Sequence, residues 1–233
     1  MKIAVLGTGV VGQTISEKMA ALGHQVMIGT RDVNSALEKT APDSFGRPAF
    51  SDWHSQHPEI RPGTYSEAAA FAELVVNATN GNGSLAALEQ AGKKNLLNKV
   101  LLDISNPLDF SKGRPPSLFV CNTDSLGEQI QRAFPDTHVV KSLNTMTCYI
   151  MVNPSLLPGD HNVFMSGNNA QAKNTVKELL MSFGWKEQNI IDMGDISTSR
   201  GTEQLLPIWV RLWGVMQSPM FNFNIVRAET AGK

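Results

Sequence analysis

Residues 1–31, MKIAVLGTGVVGQTISEKMAALGHQVMIGTR, constrain the fold more tightly than any other stretch of the chain. Lys2–Leu6 is a short apolar, β-branched run, followed by Gly7-Thr8-Gly9-Val10-Val11-Gly12, the spacing G-x-G-x-x-G. Ile15, Met19 and Leu22 continue at helical spacing until Gly23, and a second apolar run over residues 25–28 ends in Gly29-Thr30-Arg31. The pattern predicts strand, glycine turn, helix and strand in about thirty residues, the context that makes such a glycine motif informative.

Each glycine has a physical task in that unit. Gly7 permits the tight turn off the strand, Gly9 lets a pyrophosphate approach the backbone, and Gly12 lets the helix pack closely on the strand. The helix N-terminus presents unpaired N–H groups and a positive dipole end to the phosphates. Dinucleotide binding is the expectation; the bland alternative is a glycine-rich connection.

The end of the second strand selects between dinucleotides. A site for the unphosphorylated form places Asp or Glu about 20 residues after the glycines, on the ribose 2′-hydroxyl. Gly29-Thr30-Arg31 stands there instead. A carboxylate repels a 2′-phosphate, whereas a hydroxyl and a guanidinium bind one. The sequence therefore predicts NADP(H) preference with Thr30 and Arg31 as ligands, against the alternative of a surface arginine followed by Asp32 as a helix cap.

The rest of the chain repeats the theme. Strands are expected over residues 73–79, 99–105 and 138–143, alternating with helices over 66–71, 85–91 and 125–134. Short helices are read over residues 33–39 and 50–57. Ligands of open parallel sheets bind beyond the carboxyl ends of the strands, so Thr79-Asn80, Asn106-Pro107 and Asn144 are expected to face the cofactor, the alternative for residues 79–83 being an ordinary βα turn. After about residue 150 the chain changes character, with a strand over 162–166, a helix over 170–183, a strand over 189–193 and a long apolar helix over 199–217 interrupted by Pro207. The fold expected is α/β, a doubly wound parallel Rossmann sheet with a small, mainly helical C-terminal extension. Residues 1–150 are read as the NADP(H)-binding domain and 151–233 as an α/β extension packing on it, able to dimerise through the apolar bulk of residues 205–223.

Composition excludes several classes. A chain of 233 residues with 42% hydrophobic content forms a real core, and its net charge of −1 offers nothing to a nucleic acid. Gln13, Ser16, Glu17 and Lys18 break the apolar start, and no run of about 20 apolar residues exists to span a membrane. Cys121 and Cys148 lack metal or redox spacing, so a reducing cytoplasm is expected, with both thiols as core fillers. His54 and His57, flanked by Asp52 and Glu59, lack further ligands at metal spacing, and no metal site is expected.

Several segments together resemble the F420-dependent NADP reductase family, among the 6-phosphogluconate-dehydrogenase-like Rossmann proteins. They are GTGVVG at 7–12, GTR at 29–31, VVNATN at 75–80, DISNPLDF at 103–110, VVKSLNT at 139–145 and DISTSRGTEQLLP at 195–207. The last is also similar to the NADPH-binding domain of six-transmembrane metalloreductases. The resemblance implies that Thr8, Val10 and Val11 belong to the pyrophosphate turn and Thr30 and Arg31 to the 2′-phosphate. It implies that Thr79 and Asn80 line the path to the nicotinamide, and that Asn144 is the catalytic position where two redox rings meet. A deazaflavin (F420) or a flavin is the implied second partner. The chain departs from the archaeal members at Asn144 (similar to His there), Thr147 (Pro) and Ser35 (basic), which leaves Arg31 as the main expected 2′-phosphate ligand.

No acid–base set stands out. Lys173 lacks the glycines of the β-hydroxyacid dehydrogenase lysine, and Tyr65 and Tyr149 have no Tyr-x-x-x-Lys partner. Ring-to-ring hydride transfer needs none, because the cofactors carry the chemistry and the protein supplies alignment. Hydride transfer to a flavin-like or F420-like carrier is thus the leading reading. The alternatives are NADPH-dependent reduction of a small carbonyl, imine or quinone, and a non-catalytic NADP(H)-binding sensor.

Overall fold

The computed structural model describes residues 1–42, 46 and 48–228. In chain order the first half comprises β1 (Lys2–Leu6), α1 (Val10–Ala21), β2 (Gln25–Thr30), α2 (Val33–Glu38), α3 (Phe50–Gln56), β3 (Arg61–Thr64), α4 (Tyr65–Phe71), β4 (Leu74–Asn77), α5 (Gly81–Ala91), α6 (Lys93–Leu96) and β5 (Val100–Asp103). A small hairpin follows, β6 (Leu108–Asp109) and β7 (Ser117–Leu118), and then α7 (Leu126–Ala133), β8 (His138–Ser142) and α8 (Cys148–Val152). The chain continues through β9 (Val163–Gly167), α9 (Ala170–Ser182), β10 (Ile190–Gly194), α10 (Ser199–Gln204) and α11 (Leu206–Met216).

Eight strands form one sheet in the order β10-β9-β8-β5-β4-β1-β2-β3. The strands from β3 to β8 are parallel, and the order reverses between β1 and β4, the switch point where α/β sheets bind ligands. The central strands read AVL, LVVN and VLLD because both faces are covered by helices, so the pattern is continuous rather than alternating. One core layer gathers Ile3, Val5, Ile15 and Val76 under α1 and α9, and the other gathers Ala4, Leu6, Val75 and Leu101 under α4, α5 and α7.

Local sequence explains the helix starts. Thr64 and Glu67 form a reciprocal capping box on α4, and Ser125 caps α7 through the Glu128 amide. Asn80 caps α5 at Gly81, four residues ahead of the expected start at 85. The expected helix over 199–217 is two helices, α10 and α11, divided at Leu205. Pro207 in the first turn of α11 lacks an N–H, so it starts a helix more readily than it continues one.

The sheet is parallel from β8 through β5, β4, β1 and β2 to β3, as expected, and the C-terminal part adds strands whose direction the sequence left open. β9 runs antiparallel to β8, and β10 pairs parallel to β9, so residues 163–194 extend the main sheet by two reversed strands. The other strands and helices fall within a few residues of expectation, but β3, the β6–β7 hairpin, α6 and α8 went unread. One correction concerns the thiols: Cys148 is buried, but Cys121 is exposed. Among the described residues, no helix is long and apolar enough to cross a membrane.

Gln217, in the left-handed region at φ 53°, ends α11 and turns the chain back along β9. There Asn162 donates its amide to Phe223 O at 2.8 Å, and Phe221 stacks on Trp209 with ring centroids 5.5 Å apart.

Candidate functional site

The glycine turn has the geometry its spacing predicts. Gly7 sits at φ +118°, where a Cβ would lie 2.6 Å from Ala78 O. A Cβ on Gly12 would come within 1.9 Å of Gly7 O, so α1 packs against the turn as closely as backbone allows. Gly9 differs: it is exposed, and a Cβ there would meet nothing within 4 Å, so its face is open to a ligand. The first bond of α1 runs from the Gln13 amide to Gly9 O at 2.9 Å, no side chain caps the helix, and no acidic residue lies in its first turn. The amides of Val10, Val11 and Gly12 therefore have no partner within the helix. An open backbone face, unpaired amides and the positive dipole end fit a dinucleotide's phosphates.

Arg31 leaves the end of β2 on the same side. It is exposed, has no side-chain partner among the described residues, and lines a hollow of about 340 Å³ with Gly7, Thr8, Gly9, Thr79 and Asn80. Thr30 is placed differently from Arg31: it is 8% exposed and does not line the hollow. Tyr65 faces Arg31 across this space. Burial pushes its phenol above the ordinary tyrosine value, and the Arg31 charge works in the opposite direction.

Farther along the strand ends, Val10, Val11, Asn106 and Asn144 line a second cavity of about 420 Å³ with Met146 and Trp209. Asn106 Nδ2 donates to Asn144 O at 2.8 Å, and Asn144 Nδ2 donates to Asn106 Oδ1 at 2.9 Å. This clasp ties the segment after β5 to the segment after β8. Asn144 is 2% exposed, so it forms part of the cavity floor rather than a group reaching into the space. Pro107 is buried beneath, its carbonyl accepting from the Phe119 amide at 3.0 Å. α5 is seated on the clasp as well, since a Cβ on Gly81 would lie 2.0 Å from Asn106 O. Thr79 lines the Arg31 hollow, and its hydroxyl is oriented by Asn77 Oδ1 at 2.6 Å and Ser84 Oγ at 2.9 Å.

Beneath the clasp lies a charged group that sequence reasoning missed. Lys141, fully buried on β8, places Nζ 2.6 Å from Asp103 Oδ2 and 2.9 Å from Glu203 Oε1, and donates to Ser105 O at 2.7 Å. Glu203 also accepts from the Leu126 and Gly127 amides at 2.8 and 3.0 Å, where the N-terminus of α7 adds positive character. Burial would push the Lys141 ammonium down, but the Asp103 and Glu203 carboxylates together hold it above the ordinary lysine value. The signal was a lysine inside the apolar strand HVVKS. Beside it, Arg200 clamps Glu128 through Nε at 2.8 Å, and the Ser125 and Ser199 hydroxyls lie 2.8 Å apart. These contacts lock α10 onto α7.

A third cavity of about 810 Å³ opens between the β6–β7 hairpin and α11. Phe110, Pro115 and Pro116 line the hairpin side, Trp209 and Trp213 the helix side, and Asn80 joins it to the Arg31 hollow. Leu206, Trp209 and Trp213 are shared with the cavity above Asn144. The three spaces thus follow one path across the carboxyl ends of the strands.

The path carries little acid–base chemistry. Lys141, Asp103 and Glu203 are sealed from it, and Tyr149, 46% exposed, is the phenol on the cavity above Asn144. Among the described residues, no group of three His, Cys, Asp or Glu can hold a metal. His57 lies 3.4 Å from Glu17 and 3.5 Å from Glu59.

Residues 2–107 match the model of a family described as coenzyme F420-dependent NADP oxidoreductase. A crystal structure of a candidate F420-dependent NADP-reductase from Arthrobacter sp. FB24 is 54% identical, with a TM-score of 0.92 over 97% of this chain and 100% of that one. The F420-dependent NADP reductase of Methanothermobacter marburgensis is 26% identical over 91% of this chain and 92% of its own. Metalloreductase STEAP3 of Rattus norvegicus is 24% identical over 89% of this chain, which spans 38% of that protein's length. The chain belongs to the coenzyme F420-dependent NADP oxidoreductase family.

Proposed function

We propose that this NADP-dependent oxidoreductase passes hydride between NADP(H) and a flavin-like or F420-like ring acceptor. The observation that carries the reading is the continuous path from the uncommitted Arg31, past the open Gly9 turn, to the aromatic cavity of Trp209 and Trp213. Gly7, Thr8, Gly9, Val10, Val11 and Gly12 bind the pyrophosphate, Arg31 reads the 2′-phosphate, and Thr30 backs the strand end that carries it. Thr79 and Asn80 guide the ribose side. The Asn106–Asn144 clasp, with Pro107 beneath, forms the floor under the reacting rings.

When bound, the nicotinamide would supply the hydride, two electrons and one hydrogen, with residues 7–12 and Arg31 holding the dinucleotide and the Asn106–Asn144 clasp lying under the rings. The chain's own residues align, flatten and dry the meeting place. A sealed Lys141 and the sparse acid–base lining support this division of labour. Residues 1–150 are proposed as the cofactor half, and 151–233 as the half that covers the acceptor through α11.

Tyr149 supports a second reading, reduction of a small carbonyl or imine with the phenol as proton donor. Steady-state NADPH oxidation with F420, FMN, FAD, riboflavin and a carbonyl–imine panel separates the two. Turnover with a ring, surviving in Tyr149→Phe, supports hydride transfer between rings; turnover confined to carbonyls or imines and lost in that variant supports the second reading.

A cytoplasmic setting fits both the redox cofactor and the exposed Cys121 thiol. A homodimer fits the outer face of α11, where Ile208 is 50%, Val215 82% and Met216 54% exposed. Light scattering on the purified chain tests the dimer.

A further inference from the structure

We propose that Lys141, sealed beneath the cofactor path, is a positioning residue for the hydride step, its one ammonium fixing both members of the Asn106–Asn144 clasp. This role rests on the reading that the clasp is the floor under the nicotinamide. It extends that reading to a residue that touches neither cofactor nor acceptor.

Two rungs join the same pair of strand ends. In the β5–β8 register Asp103 stands opposite Lys141, and Lys141 Nζ lies 2.6 Å from Asp103 Oδ2. Three residues farther along each segment, Asn106 and Asn144 hold each other at 2.8 and 2.9 Å. Lys141 links the rungs twice. Its ammonium donates to Ser105 O at 2.7 Å, on the residue that precedes Asn106, and its backbone leads through Ser142 and Leu143 to Asn144.

The backbone link is strained. Leu143 sits at φ 63°, in the left-handed region that a bulky apolar residue seldom adopts, and it is fully buried. Such a conformation persists only where its surroundings over-determine it. Here the ion rung stands before Leu143 and the clasp after it, while Ser142 Oγ donates to Phe164 O at 2.7 Å.

The third contact of the ammonium reaches the other wall of the cavity. Glu203, 2.9 Å from Nζ, sits on α10 just ahead of Leu206 and Trp209, which line the cavity above Asn144. One buried charge thus sets both the floor and the start of the helix that walls it. An apolar core of the same volume is often as stable as a buried ion group, so stability alone gives little reason for Lys141. Fixed placement of Asn106 and Asn144 gives one.

The test reads the fluorescence lifetime of bound NADPH, without any acceptor, in wild type, Lys141→Met, Asp103→Asn and Asn106→Ala. A lifetime belongs to each bound molecule, so loss of folded protein lowers the amplitude and leaves the lifetime unchanged. In Lys141→Met the NADPH affinity is expected to stay within about threefold, because residues 7–12 and Arg31 hold the dinucleotide. The nicotinamide lifetime is expected to fall toward that of free NADPH, as it does in Asn106→Ala. With any acceptor that turns over, the single-turnover rate constant is expected to fall about ten- to a hundredfold, the scale of a misplaced reacting group.

Asp103→Asn decides the matter where Lys141→Met fails to fold. It leaves a neutral Lys141–Glu203 pair and keeps Oδ1 for Asn77 and Ser105, so only the rung to the ammonium is lost. A wild-type lifetime and rate constant in the deciding variant, beside a shortened lifetime in Asn106→Ala, overturns the role of Lys141 alone. A wild-type lifetime in Asn106→Ala overturns the floor reading and this role with it. Absence of turnover with every ring removes the ring-acceptor function and leaves the lifetimes to decide Lys141.

Discussion

Asn106 and Asn144 hold each other by two hydrogen bonds, 2.8 Å from Asn106 Nδ2 to Asn144 O and 2.9 Å from Asn144 Nδ2 to Asn106 Oδ1. The pair joins two neighbouring strand ends at the floor of the path, so one truncation undoes both bonds. Asn106→Ala is expected to destabilise the fold by about 1–3 kcal/mol, because it leaves the partner's buried groups unpaired. For a chain of this size that lowers the melting temperature by roughly 2–4 °C per kcal/mol. The acceptor-dependent kcat is expected to fall further than the stability loss explains. Calorimetry and steady-state kinetics on the same preparation check both parts.

Arg31→Ala is expected to weaken NADPH binding by about 1.5–3 kcal/mol and leave NADH little changed, the range for a hydrogen bond to a charged group. Isothermal titration with both dinucleotides checks this. Equal loss for both would remove Arg31 from the 2′-phosphate.

Lys141→Met strands two carboxylates, Asp103 and Glu203, in a fully buried place. Breaking such a group is expected to cost about 3–5 kcal/mol, measured by urea unfolding at neutral pH. The folded-state pKa of Lys141 is raised, so its contribution is fully present below the ordinary lysine value and is lost only as pH climbs through the folded one. Titration of Lys141 should therefore add no pH dependence to the stability of the wild type across neutral pH.

Asp124 gives the acid limb. The Arg132 guanidinium, with both Nη atoms within 2.9 Å, holds its carboxyl down at about 2 from an ordinary 3.8. A depressed carboxylate stabilises the fold above its unfolded value and loses that contribution as pH falls from there through about 2. Because Arg132 is 60% exposed, screening keeps the contribution to about 1 kcal/mol or less. Asp124→Asn should be less stable than wild type near neutrality and equal to it at the acid end, by denaturation across the pH series.

Much of this was legible in the residues, and the exceptions have physical causes. Residues 1–31 carry their own local grammar, and the glycine turn, α1 and the exposed Arg31 stand where that grammar puts them. The direction of β9 was not legible because an apolar strand carries no mark of it; its partner on β8 decides that. Thr30 and Thr79 read as ligands by position; strand register makes Thr30 buried, and Thr79 lines the hollow with its hydroxyl hydrogen-bonded to Asn77. The Lys141 group escaped because its members lie 38 and 62 residues apart along the chain and meet only in three dimensions. The Trp209 slot escaped for the same reason: an apolar helix reads as packing until the hairpin opposite it is placed.

The central claim is hydride transfer from NADPH to a ring held against α11. The most direct measurement is anaerobic single-turnover reduction of F420, FMN and riboflavin by NADPH and by NADPH deuterated at the transferable position. The account predicts reduction of at least one ring with a primary isotope effect, slowed when Trp213 is replaced by alanine. Reduction of none of the rings, alongside reduction of a carbonyl or imine with that isotope effect, would contradict it.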